Sequence, residues 1–208
     1  MTTVLRADAQ RNLVRVLDAA REVFAEHGIE APVTEIADRA GVGVGTIFRR
    51  FPTKDDLLVA VVQQRNAMMI AAADDALAQR DPGAGLRRFM EVGAEAYIHD
   101  RGFCDATDTN VFGREGVREQ LEELVGKVGE LVARAQAAGQ VRADLRALDV
   151  PVLLMAVAKS GLALEDAAPG AWRRTLGIVL DGLRPECARR LPRRPLSRRE
   201  FGATLDGR

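Results

Sequence analysis

The stretch from residue 34 to 54 constrains the fold of this chain most, because it contains two short helical patterns separated by glycine. In the first pattern, Ile36, Ala37 and Ala40 share one face of a helix. Gly41 follows at a position where helices often end in a left-handed residue, a conformation that glycine adopts without strain. The stretch therefore predicts a short helix followed by a tight turn.

A second helix is predicted from residue 44 to 51. Ile47 and Phe51 lie one turn apart, Val42 can fill the space between the two helices, and Pro52 ends the helical pattern. This arrangement is typical of a helix-turn-helix, in which the second helix enters the major groove of DNA. The sequence therefore predicts double-stranded DNA as a partner.

The amino-acid composition favours helices over strands. Aromatic residues make up 4% of the chain and hydrophobic residues 47%, so the core must consist mainly of Leu, Val and Ala. Ala and Leu are good helix formers, whereas strands prefer β-branched and aromatic residues. We therefore expect an all-α protein.

The charge distribution points to a compact DNA contact. The formal net charge is zero, which argues against a large nucleic-acid footprint. Arg49, Arg50 and Lys54 nevertheless form a basic cluster with no acidic residue among them. The alternative is that this cluster is an ordinary solvated helix end.

Helical spacing of apolar residues recurs along most of the chain and suggests two domains. Beyond the stretch already described, helices are predicted at residues 8–27, 54–79, 86–99, 117–138, 150–164 and 172–183. The helix that begins near residue 54 is too long for a three-helix domain, so we expect it to connect two domains. We assign residues 1–54 to an N-terminal three-helix domain, 55–184 to a helical C-terminal domain and 185–208 to a disordered tail rich in Arg and Pro.

Between Leu13 and Leu58 the chain resembles the DNA-binding domain of TetR-family transcriptional regulators. The matching residues are Ala19, Ala20, Phe24, Gly28, Ile36, Ala37, Ala40, Gly41, Val42, Gly45, Thr46, Ile47, Phe48, Phe51, Lys54 and Leu57. The rest of the chain is similar to the family in length, helix content and element order. The resemblance implies an N-terminal helix-turn-helix domain and a C-terminal helical domain for ligand binding and dimerisation.

The resemblance also implies DNA contacts for individual residues. The base-facing positions correspond to Thr34, Val44, Gly45 and Phe48. The phosphate-contacting positions correspond to Thr46, Arg50 and Lys54. The hydroxyl of Thr46 and the cations of Arg50 and Lys54 suit phosphate oxygens. The chemistry of these three residues therefore agrees with what the resemblance implies. Arg49 can reach a guanine edge or a phosphate.

Two residues depart from the family pattern. Gly43 replaces the Ser that commonly caps the recognition helix, so that cap is weaker. Phe48 replaces the usual Tyr, so a hydroxyl contact to DNA is lost, and the alternative for Phe48 is a place in the core. Thr34 is also a candidate cap for the preceding helix.

The C-terminal domain offers apolar side chains that can surround an effector. The candidates for the pocket lining are Met68, Phe89, Tyr97, Phe103, Phe112 and Met155. The alternative is that they form ordinary core. With Tyr97, His99 and Asp105 as possible polar anchors, we expect a hydrophobic effector that is neutral or cationic, because burying an unpaired charge is costly.

The segment 150–164 is apolar almost all round, and such a helix must be buried on every side. The resemblance implies a homodimer in which this segment and residues 172–183 form a four-helix bundle with the same two segments of the second subunit. The alternative is burial within one subunit.

The remaining signals exclude other classes of site. Cys104 and Cys187 lack partners at metal-ligand spacing, so we expect free thiols, no metal and no cofactor. A catalytic pair of Cys104 and His99 has no evident orienting partner, so we expect no catalytic residue. With no signal peptide and no membrane-spanning run, we expect a cytoplasmic protein.

The sequence as a whole favours a ligand-responsive transcriptional regulator. The resemblance implies a dimer that binds a palindromic operator, most simply as a repressor. The alternative is a small all-α enzyme or ligand carrier with a degenerate helix-turn-helix.

Overall fold

The computed structural model describes residues 2–98 and 111–205, and within these ranges every regular element is a helix. The prediction of an all-α fold is thus confirmed. The helices are α1 Thr2–His27, α2 Val33–Ala40, α3 Val44–Arg50, α4 Lys54–Leu77, α5 Pro82–Ile98, α6 Glu115–Ala137, α7 Asp149–Leu164, α8 Trp172–Gly182, a 3-10 turn Pro185–Cys187, and α9 Arg198–Leu205.

The first three helices pack around an apolar core built from one face of each. Ile36 of α2 and Ile47 of α3 are buried beside Phe24 of α1. Gly41 ends α2 with a left-handed φ of 63°, and the Arg15 side chain donates to the carbonyl of Ala40 at the same helix end. A Cβ at residue 41 would lie 2.8 Å from that guanidinium, so the turn requires glycine.

Helix α4 belongs to two cores. Its first half contributes Leu57, Leu58 and Val61 to the core around α1–α3. Its second half contributes Met69 and Ala73 to the core of the C-terminal helices. The predicted domain boundary after residue 54 therefore falls at the start of a helix that packs into both halves of the protein.

The C-terminal core lies between α4, α5, α6, α7 and α8, and close approach of helices depends on small residues. A Cβ at position 93 would lie 2.7 Å from Leu154, and one at position 161 would lie 2.7 Å from the Cβ of Trp172. Gly93 and Gly161 thus allow α7 to pack closely against α5 and α8.

Where the sequence predicts a disordered tail, the described residues include a short helix, α9. Helix α9 begins with a capping box: Ser197 Oγ donates to the Glu200 carboxylate, and the backbone amide of Glu200 donates back to Ser197 Oγ. Arg194 makes two hydrogen bonds of 2.8 Å to the same carboxylate. These local contacts were available in the sequence as a Ser-x-x-Glu pattern.

The expectation that Thr34 caps α2 is wrong. The helix begins at Val33, two residues before the start that a Thr34 cap implies, with Pro32 at the cap position and no side-chain cap bond. Thr34 lies in the first turn and is exposed, which leaves its hydroxyl available to a partner.

Candidate DNA interface and ligand cavity

Most side chains on the outer face of α3 are exposed, while Val44 is partly buried against the core. Ile47 is the one side chain that α3 buries, whereas Gly45, Arg49 and Arg50 are exposed. Phe48 has 44% of its surface exposed, so the alternative that placed it in the core is wrong. A Cβ at position 45 would meet nothing within 4 Å. Another molecule can therefore approach the backbone of α3 closely at this point.

The start of α3 lacks a side-chain cap, as the glycine at position 43 predicts. No side chain caps the helix at Gly43, and the backbone amide of Thr46 instead donates to the Gly43 carbonyl at 2.8 Å. Arg49 Nη2 lies 3.3 Å from Thr46 Oγ1 and donates to it.

Two cations next to α3 have no ion-pair partner in the described part of the chain. Arg50 is exposed and Lys54 is partly exposed, and neither lies within ion-pair distance of a described carboxylate. By contrast, Arg39 binds Glu26 at 2.6 Å. The positive charge beside the recognition helix is therefore available to phosphates.

A capping box connects the end of α3 to α4. Thr53 accepts from the backbone amide of Asp56 at 3.1 Å, and the Asp56 carboxylate accepts from the Thr53 hydroxyl at 2.7 Å. Arg114, which precedes α6, binds the same carboxylate at 2.9 Å. These hydrogen bonds, that from the Thr53 hydroxyl first, lower the pKa of Asp56 below its ordinary value. The C-terminal domain thus contacts α4 directly after the recognition helix.

A cavity of about 510 Å³ lies within the C-terminal domain, a size suited to a small-molecule ligand. Its walls come from α4, α5, α6 and α7, and the tail helix α9 contributes Phe201. The lining residues are Arg65, Asn66, Met69, Phe89, Tyr97, Leu121, Leu124, Val125, Val128, Ala147, Val150, Pro151, Leu154, Met155, Ala156, Lys159, Leu162 and Phe201.

The structure brings three of the six predicted pocket residues to this cavity: Phe89, Tyr97 and Met155. Met68 does not line it and is 55% exposed, because neighbouring positions of a helix point about 100° apart and Met69 takes the inward one. Phe112 is buried instead in the core around α1–α3. Phe103 lies outside the described residues, as do the proposed anchors His99 and Asp105.

Sequence reasoning missed the polar groups of the cavity wall. Arg65 and Asn66 are both buried, and the Arg65 guanidinium lies 4.3 Å from the centroid of the Tyr97 ring. The available signal was the polar run from Gln63 to Asn66, in which Arg65 and Asn66 follow Val61 and Val62 by one helical turn and so interrupt the apolar face of α4. A guanidinium in the wall repels cations, so the expectation of a cationic effector does not suit this cavity.

Helices α7 and α8 leave an apolar surface uncovered. Val152 and Ala163 are exposed on α7, and Ile178 on α8 is 62% exposed. Leu154 and the other inward positions of α7 are buried in the subunit's own core. Helix α7 is therefore covered on one side by its own subunit and open on the other.

Neither a metal centre nor a membrane segment is found in the described ranges. They contain no group of three or more His, Cys, Asp or Glu residues that could hold a metal ion. No helix in them is both long and apolar enough to cross a bilayer. Cys187 is a free, exposed thiol, while Cys104 lies outside the described residues.

An exposed helix beside two cations that no described carboxylate neutralises, joined through one long helix to a domain with an apolar cavity, defines a helix-turn-helix protein with an effector domain. Residues 16–61 match the profile described as bacterial regulatory proteins, tetR family. Residues 81–185 match the profile of the transcriptional regulator SbtR-like C-terminal domain. The chain belongs to the TetR family, a family of transcriptional regulators and not of enzymes.

Relatives and solved structures agree with this assignment. The chain is 30% identical to the HTH-type transcriptional repressor KstR of Mycobacterium tuberculosis, over 67% of this chain and 66% of KstR. A TetR regulatory protein from Mycobacterium vanbaalenii has a similar structure, with 36% identity, a TM-score of 0.66, and coverage of 86% of this chain and 99% of that one. A TetR regulator from Streptomyces coelicolor gives 30% identity, a TM-score of 0.67, and coverage of 83% and 98%.

Proposed function

We propose that this protein is a dimeric, ligand-responsive repressor that binds a palindromic DNA operator. The observation that carries the proposal is the outer face of α3, where exposed side chains adjoin two cations that no described carboxylate neutralises. An exposed face whose positive charge no described carboxylate neutralises suits the major groove and its flanking phosphates. Access to DNA places the protein in the bacterial cytoplasm.

Within this interface, the base-facing residues are Thr34, Val44, Gly45 and Phe48, and the phosphate-facing residues are Thr46, Arg50 and Lys54. Val44 and Phe48 offer no hydrogen bond, so they read bases by apolar contact, for example with a thymine methyl. Gly45 permits close approach of the backbone. Arg49, held beside Thr46, serves a phosphate or a guanine edge.

The exposed apolar surface of α7 and α8 is the proposed dimer interface. Pairing this surface with a second copy would bury Val152 and Ile178 and complete a four-helix bundle. Two-fold symmetry would then present two α3 helices to successive major grooves, about 34 Å apart. This geometry is the basis for the palindromic operator.

The cavity is the proposed effector site, and α4 is the proposed connection to DNA. The same helix supplies Asn66 to the cavity wall and begins at Lys54 beside the recognition helix. An effector releases DNA only if it binds more tightly to the conformation in which the two α3 helices are misplaced. Arg114, which holds Asp56, couples α6 to the start of α4 in the same movement.

The test is a gel shift with DNA from the region upstream of the protein's own gene, repeated at several salt concentrations. We expect a sequence-specific shift that weakens steeply with salt. Scrambled DNA of the same composition is the control. Equal affinity for the scrambled and upstream fragments, or the absence of any shift with neighbouring promoters, would contradict the proposal.

A further inference from the structure

An unpaired amide lies in the wall of the cavity. Asn66 has 0% of its surface exposed, and neither its Nδ2 nor its Oδ1 has a hydrogen-bond partner among the described residues. Buried polar groups are almost always satisfied, because a donor or acceptor without a partner destabilises the folded state. A side chain that is retained despite this cost suggests that a bound molecule supplies its partner.

A buried cation lies beside this amide. Arg65 precedes Asn66 on α4, is itself buried, and lines the same cavity with its guanidinium over the Tyr97 ring. A guanidinium donates hydrogen bonds and accepts none. The neighbourhood of Asn66 therefore favours an electron-rich oxygen on the ligand and disfavours a cation.

Apart from Lys159, which is exposed, the rest of the wall is mainly apolar. It is formed by side chains such as Phe89, Leu154 and Met155. An apolar wall with a few converging polar groups selects a ligand with an apolar body and one polar end, since each unpaired polar group elsewhere on the ligand would lose its hydration.

We propose that the effector is a mainly apolar molecule that ends in a carboxyl or carboxamide group, which Asn66 and Arg65 hold by hydrogen bonds. Asn66 Nδ2 and Arg65 donate to the carbonyl or carboxylate oxygen. A carboxamide on the ligand also donates to Asn66 Oδ1 and so satisfies both orphaned atoms. The proposal rests on the effector role of the cavity, and it names the chemistry of the effector.

The test compares three probes of one chain length by calorimetric titration of the full-length protein without DNA. The probes are decanamide, decanoate and methyl decanoate. The first two carry the proposed head group, while the ester keeps a carbonyl oxygen but has neither charge nor donor. We expect decanamide or decanoate to bind about tenfold or more tightly than the ester, the ratio expected for loss of a good hydrogen bond. Whichever of the two binds more tightly identifies the head group as neutral or anionic.

Asn66→Leu separates a binding role from a structural one. Removal of an unsatisfied buried amide should raise the melting temperature of the ligand-free protein, while the preference for decanamide over the ester should fall toward one. The preference for decanoate should fall as well but stay above one, because the Arg65 charge remains. Met69→Leu, a volume-conserving change in the same wall, should keep the preference.

Two results would overturn the proposal. One is equal binding of all three probes to the wild-type protein, or binding of none of them. The other is that Asn66→Leu lowers the melting temperature and leaves the preference unchanged, as expected of a purely structural side chain. Because these titrations contain no DNA, their failure is distinguishable from failure of the proposed DNA binding, which the gel shift measures.

Discussion

At the scale of single residues, one face of α3 stabilises the fold and the other is available to DNA. Ile47 is buried against α1 and α2, so its size and shape stabilise the domain. Arg50 and, one turn later in the chain, Lys54 make no described ion pair, so they add little to the fold. Loss of either cation should therefore affect DNA binding while leaving the stability of the fold nearly unchanged.

Arg50→Ala and Lys54→Ala should each weaken DNA binding by a similar factor on all sequences. Each lost phosphate contact should also reduce the steepness of log Kd against log salt by about one unit. The measurement is fluorescence anisotropy of labelled DNA over a salt series. Arg80→Ala is the matched control, because Arg80 follows the far end of α4, a helix about 36 Å long. An unchanged salt slope in both variants would show that these cations do not contact phosphate.

At the scale of elements, α4 and α9 both begin with a capping box, but the two helices differ in how much core they pack against. Thr53 and Asp56 cap α4 directly after α3, and Ser197 and Glu200 cap α9. The first box is exposed, but the helix that it starts packs Leu57 and Leu58 into a large core. The second belongs to a helix of eight residues, which is too short to be stable alone in water, so its stability depends on what it packs against.

Thr53→Ala should lower the free energy of unfolding by about 1 kcal/mol, the usual cost of a lost N-terminal cap. The pH dependence should identify Asp56. Since its hydrogen bonds hold the pKa of Asp56 below its ordinary value of 3.8, its stabilising effect is complete above pH 3.8 and is lost as the pH falls further.

Urea unfolding of the wild type and Asp56→Asn at several pH values measures this effect. The difference in free energy of unfolding should be constant near neutral pH and shrink below about pH 4, near the ordinary carboxyl pKa. Asp55→Asn is the control, because Asp55 is exposed beside it and outside the capping box. A difference that persists unchanged at pH 3 would exclude the ionised Asp56 carboxylate as the stabilising group.

Phe201→Ala should release the tail helix. Phe201 is the residue through which α9 lines the cavity, and its loss leaves a marginal helix without that apolar contact. Limited trypsin digestion should then cleave after Arg198 and Arg199 faster than in the wild type. Leu191→Ala, an exposed apolar residue of the same tail, should have no such effect. Equal cleavage rates in all three proteins would show that Phe201 does not hold the helix.

At the scale of the whole molecule, a substitution can act on one of the two cores that share α4 or on the uncovered face of α7 and α8. The first should affect folding, and the second should affect the proposed dimer. Charges at Leu154 or Val157 of α7 would not test a dimer. Both side chains are buried in the subunit's own core, so a charge there should unfold the chain. Positions on the open face are the right ones.

Ile178→Glu should convert a dimer into a folded monomer. Ile178 is 62% exposed in the single chain, so the substitution costs the subunit little, whereas two glutamates at a two-fold interface would repel and be desolvated. Light scattering at micromolar concentration gives the mass, and circular dichroism checks the fold. Val14→Glu, at an exposed apolar residue of α1, should remain dimeric. A wild-type protein that is already a folded monomer would contradict the proposed interface.

The sequence by itself determined the helix-turn-helix, the order of the helices and the family, because glycine conformation, helical periodicity and caps are local properties. Only the tertiary structure decided which side of each helix meets its neighbours. It placed Met69 and Asn66 in the cavity wall, and it left Met68 and Phe48 exposed to solvent. It also brought Phe201 from the tail to the same cavity. These outcomes depend on contacts between residues distant in the chain, and a local pattern cannot specify them.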